Sequence, residues 1–76
     1  MRILGIDPGL RCTGWGVVLV DSGRLRHIAN GVIRTDYRNC DADRLTDIYK
    51  GLVSVIVDTH PDVAMIEEIF GAKSAR

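Results

Sequence analysis

Apolar and polar positions along the chain change period twice, and the changes mark out four strand-like runs and one helical stretch. "RILGID" is a continuous apolar run of strand length, which predicts a central strand buried on both faces. A turn at "DPGLRC" leads into a second β-rich run, "TGWGVVLV". "DSGR", Asp21 to Arg24, has the composition of a tight hairpin turn, so the second and third strands should pair antiparallel. The third run, "LRHIANGVIRT", is long and interrupted by Asn30 and Gly31, which predicts a bulge or an edge strand.

The period then shifts to that of a helix. Leu45, Ile48, Tyr49, Leu52, Val53, Val55 and Ile56 fall on one stripe of a 3.6-residue repeat. Asp41 and Asp43 at its start are expected to cap free N–H groups and favour the positive end of the helix dipole, and His60-Pro61 should end it. Gly51 inside this stretch costs about 1 kcal/mol against alanine. A close approach of helix to sheet would account for it; simple tolerance of a poor helix former is the plainer account.

After the break, "DVAMIEEIF" repeats the opening theme of an apolar strand running into acidic residues. Three antiparallel-linked strands, a crossover helix and a further strand make an α/β unit, and the long crossover implies that the last strand is parallel to its neighbour.

Composition narrows the function classes. With 76 residues there is room for one small domain, burying about 60% of its unfolded surface and marginal alone. Ten basic and ten acidic residues cancel, so any nucleic-acid or membrane affinity must be local. Cys12 and Cys40 form no C-x-x-C pair, and no apolar segment approaches the roughly 20 residues that span a bilayer. Free thiols and the absence of a secretory pattern lead to the expectation of a cytoplasmic protein with no membrane partner.

The chemistry concentrates at the strand ends. Asp7 closes an apolar run and is followed at once by Pro8 and Gly9, and a carboxylate at the edge of a core needs a partner. If the last strand lies beside the first, Asp7 and either Glu67 or Glu68 point into one small volume, since adjacent strands are about 4.8 Å apart. Two carboxylates so close repel unless a cation sits between them. Hard oxygen ligands suit Mg²⁺ or Mn²⁺, which leads to phosphoryl chemistry. The competing account has Asp7 accept hydrogen bonds from the Gly9 turn while the glutamates are merely solvated. Neighbouring strand residues face opposite ways, so only one glutamate can face Asp7, and parity does not say which while the register is unknown.

The "GIDPG" turn, the T-G-W-G start of the second strand, the "IRT" end of the third, the "RL..IY.G" helix face and the acidic "IEE.F" strand end together closely resemble the RuvC family of bacterial Holliday-junction resolvases, across the whole chain. The resemblance implies a ribonuclease-H-like fold, of which residues 1–76 would be the N-terminal half of a single nuclease domain. It implies a homodimeric endonuclease of recombination and repair that cuts four-way DNA junctions by two-metal, Mg²⁺-dependent phosphodiester hydrolysis. Mn²⁺ is a possible substitute, and RuvA and RuvB are the implied branch-migration partners. Asp7 and Glu67 match two of the family's four carboxylates, and the resemblance chooses Glu67 over Glu68. Asp7 would touch both ions and Glu67 one. Phe70 matches an aromatic position near junction DNA, where it would stack on or wedge against a base; as an apolar strand-end residue it would instead cover the sheet. Arg11, Lys73 and Arg76 are candidates for phosphate contacts, with solvated surface charge as the plainer account.

The departure from the family is length. Its other two acidic residues lie on a later helix absent from this chain, so Arg76 is expected to be a truncation point and the fragment to be inactive alone. Competing readings are an ATP-binding domain of the actin, Hsp70 and sugar-kinase type, a nuclease of the same fold without junction preference, and a non-catalytic binding remnant. The first would want a turn closer to D-x-G-T/S and leaves "IEEIF" without a task.

Overall fold

The apolar runs fold as their periods predict. In the computed structural model, which describes residues 1–66, the order is β1 (Arg2–Asp7), β2 (Cys12–Asp21), β3 (Arg24–Arg34), α1 (Asp41–Thr59) and β4 (Val63–Ile66). These strands form one mixed sheet in the order β3-β2-β1-β4, with β1–β2 and β2–β3 antiparallel and β1–β4 parallel. The β2–β3 connection is a two-residue hairpin in which Ser22 (φ 52°) and Gly23 (φ 79°) both adopt left-handed backbone, the turn whose twist matches that of the flanking strands.

Each sheet position has a definite face. Leu4 and Ile6 of β1 lie opposite Val17 and Trp15 of β2, and with Val55 of α1 they form the core; Trp15 and Leu52 pack against it half-buried. Alternation puts Gly5 and Asp7 on the other face, where both are exposed. β1 is central, as predicted, but among the described residues it is buried on one face and not on two.

β3 is an edge of this sheet, as its composition predicts. The register shift falls where Val17 pairs with Ala29 and Val18 with His27, leaving Ile28 as the extra residue, so the bulge is not at Asn30-Gly31. Gly31 has another reason: a Cβ there would lie 2.8 Å from the Trp15 ring. Its bare backbone is what lets the indole lie across β3.

The helix begins and ends where expected, by other means. Cys40 is the N-cap and its side chain makes no capping bond; Asp41 and Asp43 sit inside the first turn, where they meet the dipole without capping. At the far end His60 turns left-handed (φ 50°) and its N–H donates to Ile56 O at 2.9 Å. The residues turned toward the sheet are Arg44, Ile48, Gly51, Leu52, Val55 and Thr59, whereas Leu45, Tyr49, Val53 and Ile56 remain exposed. The apolar stripe is thus wider than the surface these strands offer it. Gly51 marks a close approach, since a Cβ on it would come within 2.8 Å of Ile33 Cδ1 on β3.

Two sets of hydrogen bonds fix the ends of β1. At its start, Arg2 N–H donates to Asp62 Oδ2 and Asp62 N–H to Arg2 O, both at 2.8 Å, and the Arg2 guanidinium donates to Thr59 O at 2.7 Å. These bonds set where β4 starts beside β1. At its end, the fully buried Thr13 hydroxyl accepts from Gly9 N–H (3.2 Å) and donates to Gly9 O (2.9 Å). Gly9 is required there, because a Cβ would lie 2.6 Å from Cys12 O. No helix among the described residues is long and apolar enough to cross a membrane.

Two stability measurements test this packing. Gly51→Ala should not give the roughly 1 kcal/mol gain of removing a helix-interior glycine, because overpacking against Ile33 costs about 1–3 kcal/mol. Denaturant midpoints should fall for Gly51→Ala and recover when Ile33→Val removes the opposing methyl. Thr13→Val keeps the shape but strands both Gly9 groups, and should cost about 1–3 kcal/mol. Thr13→Ser, which keeps the hydroxyl, should lose only about 1 kcal/mol, the scale of one buried methyl group.

Candidate functional site

Asp7 is the last residue of β1, paired with Gly14 on one side, and its carboxylate emerges on the face away from α1. The floor around it is bare: Gly5, Gly14 and Gly16 share that face, and a groove of about 340 Å³ lined by these glycines, Asp7 and Met65 runs across it. Nothing within 4 Å would meet a Cβ on Gly14, and the nearest atoms to one on Gly5 and Gly16 lie at 3.9 and 3.8 Å. Packing among the described residues therefore does not demand glycine at these three positions; their effect is to leave the carboxylate open to a ligand.

The sequence left open whether Asp7 is occupied by its own turn. It is not. Gly9 N–H donates to Thr13, and Asp7 accepts no hydrogen bond and forms no ion pair among the described residues. Among the described residues nothing occupies its oxygens, and an exposed carboxylate at a strand end suits a small, hard, partly hydrated ion. The described residues alone bring no three metal-ligating side chains together. On this face they present one carboxylate, that of Asp7.

The remaining candidates fall out as follows. Arg11 is exposed in the β1–β2 loop. Glu67, Glu68, Phe70, Lys73 and Arg76 lie outside the described residues. Sequence reasoning missed Arg34, which pairs with Cys12 two positions beyond the Asp7–Gly14 row and so stands exposed on the same face as Asp7. It also missed Thr13, Thr35 and Arg44, which hold the loop after Asp7. Their hydroxyls and guanidinium sit within the motifs that carry the family resemblance, but no periodicity signals a side chain bonding to a distant loop carbonyl.

Away from the groove, Arg38 donates to Asp36 and forms the one ion pair among the described residues, at 2.7 Å. The Arg38 side-chain hydrogen bonds, then its backbone N–H and a weaker attraction from Arg44, hold the Asp36 carboxyl below the usual carboxylate range. A lowered carboxylate favours the fold above its ordinary range, and that contribution is lost as pH falls through the lowered value. The pair is a surface feature of the turn before α1.

The family model and the curated relatives agree on one family, while two Aquifex aeolicus structures of the Ppx/GppA family share the fold alone, at 17% and 19% identity with TM-scores of 0.66 and 0.68. Residues 3–76 match the family model for crossover junction endodeoxyribonuclease RuvC. The RuvC protein of Paramagnetospirillum magneticum is 53% identical over 70 residues, covering 92% of this chain and 42% of that protein. The Caulobacter vibrioides protein is 52% identical over 69 residues, covering 91% and 41%. Among solved structures, Thermus thermophilus RuvC in complex with Holliday junction substrate superposes with a TM-score of 0.81 at 29% identity, over 90% of this chain and 42% of that one. The mixed sheet with its crossover helix is therefore the ribonuclease-H-like fold, and the chain spans less than half the length of these relatives. By the family model over residues 3–76 and by relatives about half identical over nine-tenths of its length, the chain belongs to the RuvC family of crossover junction endodeoxyribonucleases.

Proposed function

We propose that the chain is the N-terminal part of a cytoplasmic, homodimeric endonuclease that resolves four-way DNA junctions in recombination and repair by Mg²⁺-dependent phosphodiester hydrolysis, working with RuvA and RuvB. The observation that carries the reading is the parallel register of β1 and β4, in which Ile3, Leu4, Gly5 and Ile6 lie beside Val63, Ala64, Met65 and Ile66. One further step of an unbroken strand would pair position 7 with position 67. Alternation would then put Glu67 on Asp7's face, about 4.8 Å away across the ladder, and Glu68 on the opposite face. The register thus supports, on physical grounds, the glutamate that family resemblance selects.

Asp7 and Glu67 would together hold the divalent ions, with the rest of the ligand set supplied by later residues of a full-length protein. When bound, the ions supply Lewis-acid stabilisation of the charge that develops on the attacking and departing oxygens. The chain's own contribution is positional. Asp7 presents its carboxylate at a fixed strand end, and the bare glycine floor admits a phosphate backbone close to it. Arg11, Lys73 and Arg76 contact phosphates away from the scissile bond, and Phe70 stacks on or wedges against a base. Residues 1–76 alone carry two of the four carboxylates that the family resemblance implies for the site, too few to hold two ions, and so would not cut.

The test uses a full-length protein containing this chain. Asp7→Asn should abolish cleavage of a four-way junction across a Mg²⁺ titration while leaving junction binding within about threefold, since phosphate contacts set affinity and the metal site serves the transition state. Glu67→Gln should be nearly inactive and Glu68→Gln should keep most activity. Cleavage by Asp7→Asn at the wild-type rate, or the reverse ranking of the two glutamates, would sink the assignment.

A further inference from the structure

The loop that follows Asp7 is held by a clasp built from two other elements. Thr35, just past the end of β3, donates its hydroxyl to Leu10 O and its backbone N–H to Arg11 O at 3.2 Å. Arg44, in the first turn of α1, reaches the same place: its Nε donates to Thr35 Oγ1 at 3.0 Å and its Nη2 to Leu10 O at 3.3 Å. Leu10 O therefore accepts from both side chains, and the two are bonded to each other. With Gly9 fixed on Thr13, every residue from Gly9 to Arg11 has a backbone group tied to a neighbouring element. Between these anchors and Asp7, the last residue of the β1 ladder and paired with Gly14, stands only Pro8, whose ring fixes its own φ.

We propose that Arg44 and Thr35 are positioning residues for the metal site: they set the path of the loop and thereby the aim of the Asp7 carboxylate. The inference rests on the reading of Asp7 above. Arg44 is a cation on a DNA-cutting protein, and a phosphate contact is the obvious alternative role. The geometry argues against it. The guanidinium is half-buried, and two of its N–H groups are committed to the fork between Thr35 and Leu10, which a flexible ammonium would not reproduce. A positioning role predicts loss of rate at constant affinity, whereas a phosphate contact predicts loss of affinity with a shallower salt dependence.

The experiment compares Thr35→Val, Thr35→Ser, Arg44→Ala and Arg44→Lys in the full-length protein, with Asp7→Asn as the reference. Three quantities are read: single-turnover cleavage of a four-way junction, junction Kd in metal-free buffer, and Mn²⁺ affinity by calorimetry without DNA. Thr35→Val and Arg44→Ala should each slow cleavage by about ten- to a hundredfold, the scale of a misplacement of about 1 Å. Both should weaken Mn²⁺ binding severalfold and leave junction Kd within about twofold. Thr35→Ser should cut within about threefold of wild type, Arg44→Lys should fall between, and the double variant should be no slower than the worse single one, because both act through Leu10. Should Arg44→Ala fail to fold, the Val and Ser variants at position 35 decide the matter alone. Wild-type cleavage by Thr35→Val and Arg44→Ala beside an inactive Asp7→Asn would overturn the clasp and leave the role of Asp7 standing. A loss explained wholly by weaker junction binding would do the same. Cleavage by Asp7→Asn would instead remove the reading on which the clasp depends.

Discussion

Reciprocal hydrogen bonding between Arg2 and Asp62 is the interaction on which the rest of this structure depends. It sits at the opposite end of β1 from the chemistry, yet it sets where the chain begins to run beside β1 after the helix. A parallel ladder has no hairpin turn to fix its register, so some contact at the start of the strand has to. Once Ile3 lies beside Val63, every later pair follows, through Ile6 beside Ile66. A slip of one residue would send every side chain of β4 to the other face of the sheet. The Arg2 bond to Thr59 O draws the end of α1 into the same junction, so the crossover helix and the register are fixed together.

The sheet then divides its labour by face. One side carries Leu4, Ile6, Trp15 and Val17 and is closed by α1, which supplies the apolar burial that stabilises the fold. The other side carries three glycines around the Asp7 carboxylate, which has no partner among the described residues. The two faces are joined by the Asp-Pro-Gly loop, whose backbone is satisfied by Thr13, Thr35 and Arg44 and so makes no demand on Asp7. A carboxylate released from local hydrogen bonding and aimed across a bare floor is what a phosphoryl-transfer site requires of a strand end.

Much of this was legible in the sequence where a period or a turn residue carries the signal. The strand at 2–7, the strand that opens the run "DVAMIEEIF", the Ser22-Gly23 hairpin and the helix ending before Pro61 follow from continuous apolar runs, turn-residue composition and loss of the 3.6 period. The parallel placement of β4 followed from the length of the crossover. Side-chain bonds to distant backbone were not legible: nothing in the spacing of Thr13, Thr35 or Arg44 says that they converge on residues 9–11. The capping role given to Asp41 and Asp43 failed because the helix starts one residue earlier than a cap at Asp41 requires, leaving Cys40 in that place. The bulge was misplaced because Gly31 serves the Trp15 ring instead of a break in the ladder. Parity alone could not choose between Glu67 and Glu68, because the register of β1 against β4, now described as far as Ile6 beside Ile66, is not readable from an apolar run.

The central proposal is that Asp7 and Glu67 hold one divalent ion jointly. A crystal of a full-length protein containing this chain, soaked in Mn²⁺ and measured at the manganese absorption edge, tests it directly. The account predicts an anomalous peak within metal–oxygen bonding distance, about 2.1 Å, of carboxylate oxygens from both Asp7 and Glu67. A peak bound to Glu68 in place of Glu67, or full occupancy of a site that leaves Asp7 untouched, would contradict it.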